Sequence, residues 1–357
     1  MKIIITGGHL SPALALIDKL KEIKRIQIVY IGKKYNLDSE KSLSLEYQEI
    51  KKRGFPFYHL NTGRLTRIVS FTSIINLLKF PFGLLQSFSI LKKEKPDLIF
   101  SFGGYLGLPV ALCGFILNIP IYIHEQTINP GLTNRILSSI AKKVFVSFPQ
   151  TKNLFPKNKV VVTGNLIRRE VFTSTKKPFT IKKTKPVIYV TGGSLGSHSI
   201  NILIEKILPQ LLKKYIVIHQ IGGVKQYHDF ERMKAYQNPS YFPVKHFFLD
   251  EIGYVYQTAD LVIGRAGANT FFELLALKKP VILVPLPWSA NQEQQKHARL
   301  FKQWQLGEIF DQNDNHKRLL SLIDKMIENL NFYRNNFSRL PINFLFDAEE
   351  KIIKEIF

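Results

Sequence analysis

Residues 260–298, DLVIGRAGANTFFELLALKKPVILVPLPWSANQEQQKHA, decide the fold. Leu261 to Ile263 is an apolar run, Gly264 breaks it, and Phe271, Phe272, Leu274, Leu275 and Leu277 then recur at helical spacing. Val281 to Val284 follows at once as a second buried strand. The stretch predicts a βαβ unit whose turn lies at the carboxyl edge of a parallel sheet, where open α/β folds bind ligands. Gly267 and Ala268 leave backbone N–H groups bare at the helix start, which suits an anion. Arg265 adds positive charge, Glu273 lies one helical turn after Asn269, and the polar segment ending in Gln294 and Gln295 returns to the same edge. A carboxylate beside anion-binding amides suits a ribose joined to a diphosphate, so a nucleotide-sugar site is expected here.

The same alternation extends along the chain. Strand-like runs at Ile3–Ile5, Gln27–Ile31, Phe57–Leu60, Asp97–Phe100, Ile119–Ile123, Lys143–Val146 and Val160–Thr163 alternate with helical patterns. After a charged, unpatterned segment, Thr173–Lys185, strands resume at Val187–Val190, Ile216–Gln220, Lys245–Phe248, Leu261–Ile263 and Val281–Val284. This pattern predicts the α/β class with mostly parallel sheets, in two Rossmann-like halves. A length of 357 residues fits two domains better than one core.

Hydrophobic content of 45% and charged content of 22% mark a globular chain. One cysteine, Cys113, excludes an intramolecular disulfide and a cysteine-based zinc cluster, which points to a reducing interior. The start, MKIIITGG, runs straight into a strand and shows no secretory signal. Fifty Lys and Arg against 27 acids give a net charge of +23, which favours anionic partners: phosphates, nucleic acid or an anionic membrane face. No basic block with interleaved aromatics resembles a nucleic-acid-binding module, so no nucleic-acid partner is expected.

Each half carries glycine-rich corners. In the second, Gly192, Gly193 and Gly196 permit a sharp turn after Val187–Val190, with Ser194 and Ser197 placed to cap a helix or meet a phosphate. The spacing is not G-x-G-x-x-G, and IHQIGG puts no acid at the next strand end, which disfavours NAD. In the first half, Gly7, Gly8 and His9 follow strand one, with Pro12 near the helix start. Gly103, Gly104 and Tyr105 follow DLIFSF; His124, Glu125 and Gln126 follow PIYI; and Asn129 to Asn134 lead into the next helix. These strand ends converge on one sheet edge, and His9 sits in a turn that leaves it accessible.

Two apolar stretches raise the question of membranes. The uncharged run Leu98–Ile123 is long enough to span, but its glycines and prolines break it into strand, turn, helix and strand, as a buried parallel sheet requires. Between Phe71 and Leu91 the chain is more apolar than one helix face needs, and Arg64, Arg67, Lys79, Lys92, Lys93 and Lys95 surround it. With Pro81 interrupting the run, the pattern is that of an interfacial anchor on anionic lipid, presenting Ile75, Leu78, Phe82 and Leu85 beside Lys79 and Lys92. The alternative is a buried helical hairpin. Phe344–Phe357 reads as a last helix.

Taken together, TGGHLSPALA at the start, SFGGY at 101–105, HEQ at 124–126, PGLTN at 130–134, GN before Arg168, GGSLG at 192–196, GRAGANTFFE at 264–273 and QQKHA at 294–298 resemble the MurG family. These glycosyltransferases add N-acetylglucosamine (GlcNAc) to undecaprenyl-pyrophosphoryl-MurNAc-pentapeptide, converting lipid I to lipid II in peptidoglycan synthesis. The resemblance covers nearly the whole chain. It implies a GT-B architecture: an acceptor and membrane domain over 1–163, a UDP-GlcNAc domain over 164–340, the two facing across a cleft, and a helix over 341–357 returning to the first. By position, Arg168, Ser194, Leu249 through its backbone, Arg265, Ala268, Glu273, Gln294 and Gln295 would hold the donor, with Glu273 on the ribose and the glutamines on the sugar. Gly7, Gly8, His9, Gly103, Gly104, Tyr105, His124, Glu125 and Asn134 would line the acceptor side. The resemblance further implies peripheral attachment at the cytoplasmic face of a bacterial cell membrane and other cell-wall synthesis proteins as partners, in cell shape and division.

Three departures stand out. The usual GGTGGH is shortened to a single glycine pair before His9, the usual HEQN is HEQT with Thr127, and the usual GNPVR is GNLIR with Leu166. The expected reaction is an inverting single displacement, with His9 as base because imidazole titrates nearest working pH, and Glu125 in reserve. No DxD-like acidic pair stands at a strand end, so metal independence is expected, with UDP-GlcNAc as donor substrate and no cofactor. Competing readings are a UDP-sugar epimerase or another lipid glycosyltransferase of the same fold, and a basic RNA-associated protein.

Overall fold

Strands covered on both faces should read as unbroken apolar runs, and β1 (Lys2–Thr6) does so, with Ile3, Ile4 and Ile5 wholly buried. In the computed structural model, which describes residues 1–37, 40–63, 71–193, 195–340 and 347–357, the chain divides into two units. The first is Met1–Leu166 with Asn343–Phe357, the second Ile167–Ile342.

The first unit continues from β1 through α1 (Leu10–Lys21), β2 (Gln27–Gly32), a short antiparallel pair β3 (Tyr35–Leu37) and β4 (Glu40–Leu43), α2 (Leu45–Lys52), β5 (Phe57–His59), α3 (Phe71–Glu94), β6 (Leu98–Ser101), α4 (Gly104–Ile116), β7 (Ile121–Glu125), α5 (Leu132–Leu137), β8 (Lys143–Val146) and β9 (Val160–Val162). The seven-stranded parallel sheet runs β5-β2-β1-β6-β7-β8-β9. Its order reverses between β1 and β6, and a ligand crevice opens at such a switch point. The corners at Gly7–His9 and Gly103–Tyr105 leave from those two strands.

Within the run Leu98–Ile123, α4 presses onto the sheet through Gly114, where a Cβ would lie 2.3 Å from Ile99 Cδ1. No helix among the described residues is long and apolar enough to cross a membrane. Two expectations need correction. Pro81 does not interrupt the helix; α3 is continuous through it. β7 starts at Ile121 rather than Ile119, so His124 and Glu125 lie in the strand and not after it, at 1% and 4% exposure.

The second unit contains β10 (Val187–Thr191), α6 (His198–Lys214), β11 (Ile216–Gln220), α7 (Asp229–Lys234), β12 (Tyr241–Val244), α8 (Leu249–Thr258), β13 (Leu261–Gly264), α9 (Ala268–Ala276), β14 (Val281–Leu283), α10 (Glu293–Gln303), β15 (Gly307–Ile309), α11 (His316–Glu328) and α12 (Leu330–Phe337). Its parallel sheet runs β12-β11-β10-β13-β14-β15 and switches between β10 and β13, from which the 192–196 and 264–268 corners emerge. The strand expected at Lys245–Phe248 is instead β12 at Tyr241–Val244. It includes Pro243, which an edge strand tolerates because one side of its backbone has no ladder to complete.

The charged segment Thr173–Lys185 is stitched to this unit, not loose. Phe179 packs against Phe242, Phe247 and Tyr254, while Lys176 and Lys183 pair with Glu251 and Asp260. The last helix, α13 (Ala348–Ile356), belongs to the first unit, with Ile352 fully buried and Glu355 3.0 Å from Lys143.

Candidate functional site

In the second unit, β13, α9 and β14 form the βαβ unit the opening stretch predicted, with its turn at the carboxyl edge of the sheet. Ala268 begins α9 and Leu249 begins α8, so each N–H is among those a helix start leaves without an intrahelical acceptor. Glu273, 5% exposed, is held by Arg168 (Nε to Oε1, 2.8 Å; Nη2 to Oε2, 3.4 Å) and by the Tyr256 hydroxyl, which donates to Oε2 at 3.1 Å. Arg265 does not join this group. Its Nη2 donates to Ser197 Oγ (2.8 Å), Ser199 Oγ (2.6 Å) and Gln312 Oε1 (3.0 Å), and its Nη1 to the Val284 carbonyl (2.9 Å). Burial without an offsetting carboxylate pulls its pKa down to about 10. A buried cation satisfied by neutral acceptors leaves a net positive field at this sheet edge.

The two glutamines lie at the start of α10 and bond to the loop after β14. Gln294 Oε1 accepts from Leu286 N at 3.0 Å; Gln295 Nε2 donates to the carbonyls of Leu286 and Pro287, both at 2.9 Å, and its Oε1 accepts from Ser289 Oγ at 2.7 Å. Both side chains hold the 286–289 loop. Ser194 lies outside the described residues.

In the first unit, Glu125 is the centre of a clamp. Oε1 accepts from Thr127 N (2.9 Å) and Thr127 Oγ1 (2.7 Å), and Oε2 from Gly131 N (2.9 Å) and Asn134 Nδ2 (3.0 Å). Asn134 Nδ2 also donates to the His124 carbonyl at 3.2 Å. Gly103, at φ +73°, lies against Asn134, whose Oδ1 would be 2.5 Å from any Cβ there.

His9 is the half-buried N-cap of α1, and burial lowers its pKa more than the nearby Glu125 carboxylate raises it. His124 sits deeper, with Nε2 3.4 Å from the Gly164 carbonyl, and burial brings its pKa to about 4. His9, His124 and Glu125 therefore share one electrostatic site. Tyr105 is packed partly onto the core formed by Leu106 and Val110, while Gly8 and Gly104 stay exposed.

Residues 3–146 match the glycosyltransferase family 28 N-terminal domain, and residues 187–352 the family 28 C-terminal domain. The chain is 34% identical over 364 residues to the UDP-N-acetylglucosamine–N-acetylmuramyl-(pentapeptide) pyrophosphoryl-undecaprenol N-acetylglucosamine transferase of Clostridium tetani, covering 99% of this chain and 92% of that one. It is 36% identical over 354 residues to the protein of the same name from Clostridium perfringens, covering 96% and 94%. The chain belongs to the MurG family.

The crystal structure of Acinetobacter baumannii MurG shares the fold, with a TM-score of 0.67 and 23% identity over 99% of this chain and 98% of that one. So does UDP-GlcNAc 2-epimerase from Neisseria meningitidis, at a TM-score of 0.67 and 15% identity over 100% and 99%. Within the MurG family, this chain's Thr127 stands where the usual motif has Asn, and its amide and hydroxyl together satisfy one oxygen of Glu125. Sequence reasoning missed Tyr256 and Gln312. The first hides on the buried face of α8, and the second follows β15, a three-residue strand with no readable period.

Proposed function

We propose that this chain moves N-acetylglucosamine from UDP-GlcNAc to the C4 hydroxyl of MurNAc in undecaprenyl-pyrophosphoryl-MurNAc-pentapeptide, turning lipid I into lipid II with inversion. What supports this most is 34–36% identity along nearly the whole length to transferases of that name. The acceptor oxygen attacks the anomeric carbon, the bond from that carbon to the UDP oxygen breaks, and His9 takes the hydroxyl proton. Glu273, with Arg168 and Tyr256, meets the ribose. The amides at the start of α9 and the positive field of Arg265 stabilise charge gathering on the departing UDP, so the chain's own groups serve without a metal.

Glu125, with both carboxylate oxygens already accepting from Thr127, Gly131 and Asn134, fixes the acceptor corner, and the proton goes to His9. The exposed apolar residues Leu78, Phe82 and Leu85 of α3, with Lys79 and Lys92, rest on the anionic cytoplasmic leaflet near the lipid-linked acceptor; the side chain of Ile75, expected to join them, lies outside the described residues. Such a product serves cell-wall growth, and with it cell shape and division; other cell-wall synthesis proteins are the partners proposed.

Incubation with labelled UDP-GlcNAc and a lipid I analogue tests the reading, with a lipid-linked disaccharide and UDP in equal amounts as the expected products. Epimerised sugar nucleotide formed from UDP-GlcNAc alone, with no lipid product, would overturn it.

A further inference from the structure

Trp288 is 72% exposed, more than any other described aromatic residue. An indole left in water forgoes burial of about 2 kcal/mol or more, so its setting matters. It lies in the loop leaving β14, which starts where the sheet edge is tied to the donor corner: Val284 N donates to the Gly264 carbonyl at 2.8 Å, and the Val284 carbonyl accepts from Arg265.

Trp288's two neighbours are fixed. Gln295 grips the carbonyls of Leu286 and Pro287 and the hydroxyl of Ser289, while Gln294 takes the Leu286 N–H. The loop ends on two successive non-glycine residues in left-handed conformation, Asn291 at φ 52° and Gln292 at φ 54°. Such backbone costs about 1 kcal/mol or more per residue and concentrates at functional sites. An exposed indole with no ring stacked on it among the described residues, on a loop held at this many points, is a preorganised surface for a flat apolar partner.

We propose that Trp288 is the stacking platform for the hexosamine of the donor. A gluco-configured pyranose in its chair form carries axial C–H groups on both faces and so offers a flat apolar surface to an aromatic ring, while its hydroxyls reach the loop's polar rim. Gln295 is then a positioning residue: its amide is engaged with the loop, and it acts on the sugar by holding Trp288 in place. This rests on the donor-site reading above.

Intrinsic fluorescence of the full chain tests it, because only one other tryptophan is present and Trp304 is packed beside Phe271. UDP-GlcNAc is expected to perturb Trp288 emission, UDP alone to leave it unchanged, and W288F to abolish the response. W288A is expected to raise the Kd for UDP-GlcNAc about tenfold, the lower end of ring-stacking effects, with the Kd for UDP unaltered; W288F stays within about threefold of the parent for both. Unchanged UDP-GlcNAc affinity in W288A, with UDP binding intact, would overturn the platform alone. Failure of the parent chain to bind UDP at all would overturn the donor site and the platform with it.

Discussion

Arg168 Nε lies 2.8 Å from Glu273 Oε1, so two residues expected to hold the donor also hold each other. Removing one partner of a buried pair leaves the other uncompensated, at a cost of about 3–5 kcal/mol. Glu273→Ala should therefore lower both the melting temperature and the affinity for UDP. Glu273→Gln with Arg168→Met should recover much of the stability and none of the affinity. Thermal unfolding and calorimetric titration with UDP separate the two effects, and parental UDP affinity in Glu273→Gln would remove the carboxylate from the ribose site.

The two acceptor-side candidates for the base differ in the same separable way. His9→Ala should lower turnover about 10²-fold or more, with donor affinity and stability kept. Glu125→Gln sets an amide against donors that now meet a carboxylate, and should cost about 1–3 kcal/mol of stability. Because burial holds the His9 pKa below 6.5, the neutral imidazole persists into mildly acidic solution, and the acid limb of kcat should fall below that value. The Glu125 charge raises that pKa, so Glu125→Gln should move the limb lower still. A limb displaced upward would contradict this pairing.

Three buried histidines weaken the fold in acid, opposed by Glu46, whose carboxyl is pushed up to about 7 by burial and so favours the folded state as pH falls. Burial brings His124 and His297 to about 4 and His219 to about 3, against 6.5 in the unfolded chain. Between those values the unfolded state binds more protons on these three rings, so the stability they confer is complete above 6.5 and drains as pH falls through 4. Each group contributes about 1.4 kcal/mol per pH unit inside its window. Denaturant unfolding from pH 7 to pH 4.5 should show the slope, and His219→Asn should flatten it.

Glycines at the acceptor corner separate folding from binding. Gly103→Ala meets Asn134 and a positive φ of +73°, and should destabilise the first unit by about 1–3 kcal/mol. Gly8 has ordinary φ and open space around its missing Cβ, so Gly8→Ala should fold as the parent does. If the shortened turn cradles the acceptor pyrophosphate, Gly8→Ala will raise the KM for lipid I while leaving the KM for UDP-GlcNAc unchanged. Parental kinetics would place the acceptor elsewhere.

Much of this was legible because parallel strands and glycine corners write themselves plainly. Ile3–Ile5 and Leu261–Ile263 are apolar runs that end in turns, and both turns stand at switch points. What stayed hidden depends on side chains meeting across long sequence separations. The turn at Arg265 and the helix of Glu273 read as one cluster, yet the guanidinium bonds to Ser197, Ser199 and Gln312 while the carboxylate bonds to Arg168 and Tyr256. Direction around a corner is set by neighbours that spacing does not reveal. β12 was misplaced for a local reason: Pro243 argues against a strand unless its edge position is known.

Leu78, Phe82 and Leu85 are 73%, 57% and 71% exposed, at spacings of four and three residues along α3, which puts them on one stripe of the helix. Phe115 and Ile116, 55% and 66% exposed, end α4, which packs on α3 where Cys113 Sγ donates to the Leu84 carbonyl at 3.2 Å. If this apolar surface beside Lys92 is the face proposed to sit in anionic lipid, its removal should be felt at the membrane and not in the fold. Because these side chains already meet water, a triple change of Leu78, Phe82 and Leu85 to Ser should leave the melting temperature within a few degrees of the parent. Losing about 1 kcal/mol per side chain should weaken binding to phosphatidylglycerol vesicles about 10²-fold. Turnover of a detergent-soluble acceptor analogue should be preserved, while turnover of acceptor embedded in vesicles falls. Undiminished vesicle binding by the triple variant would mean that another surface meets the membrane.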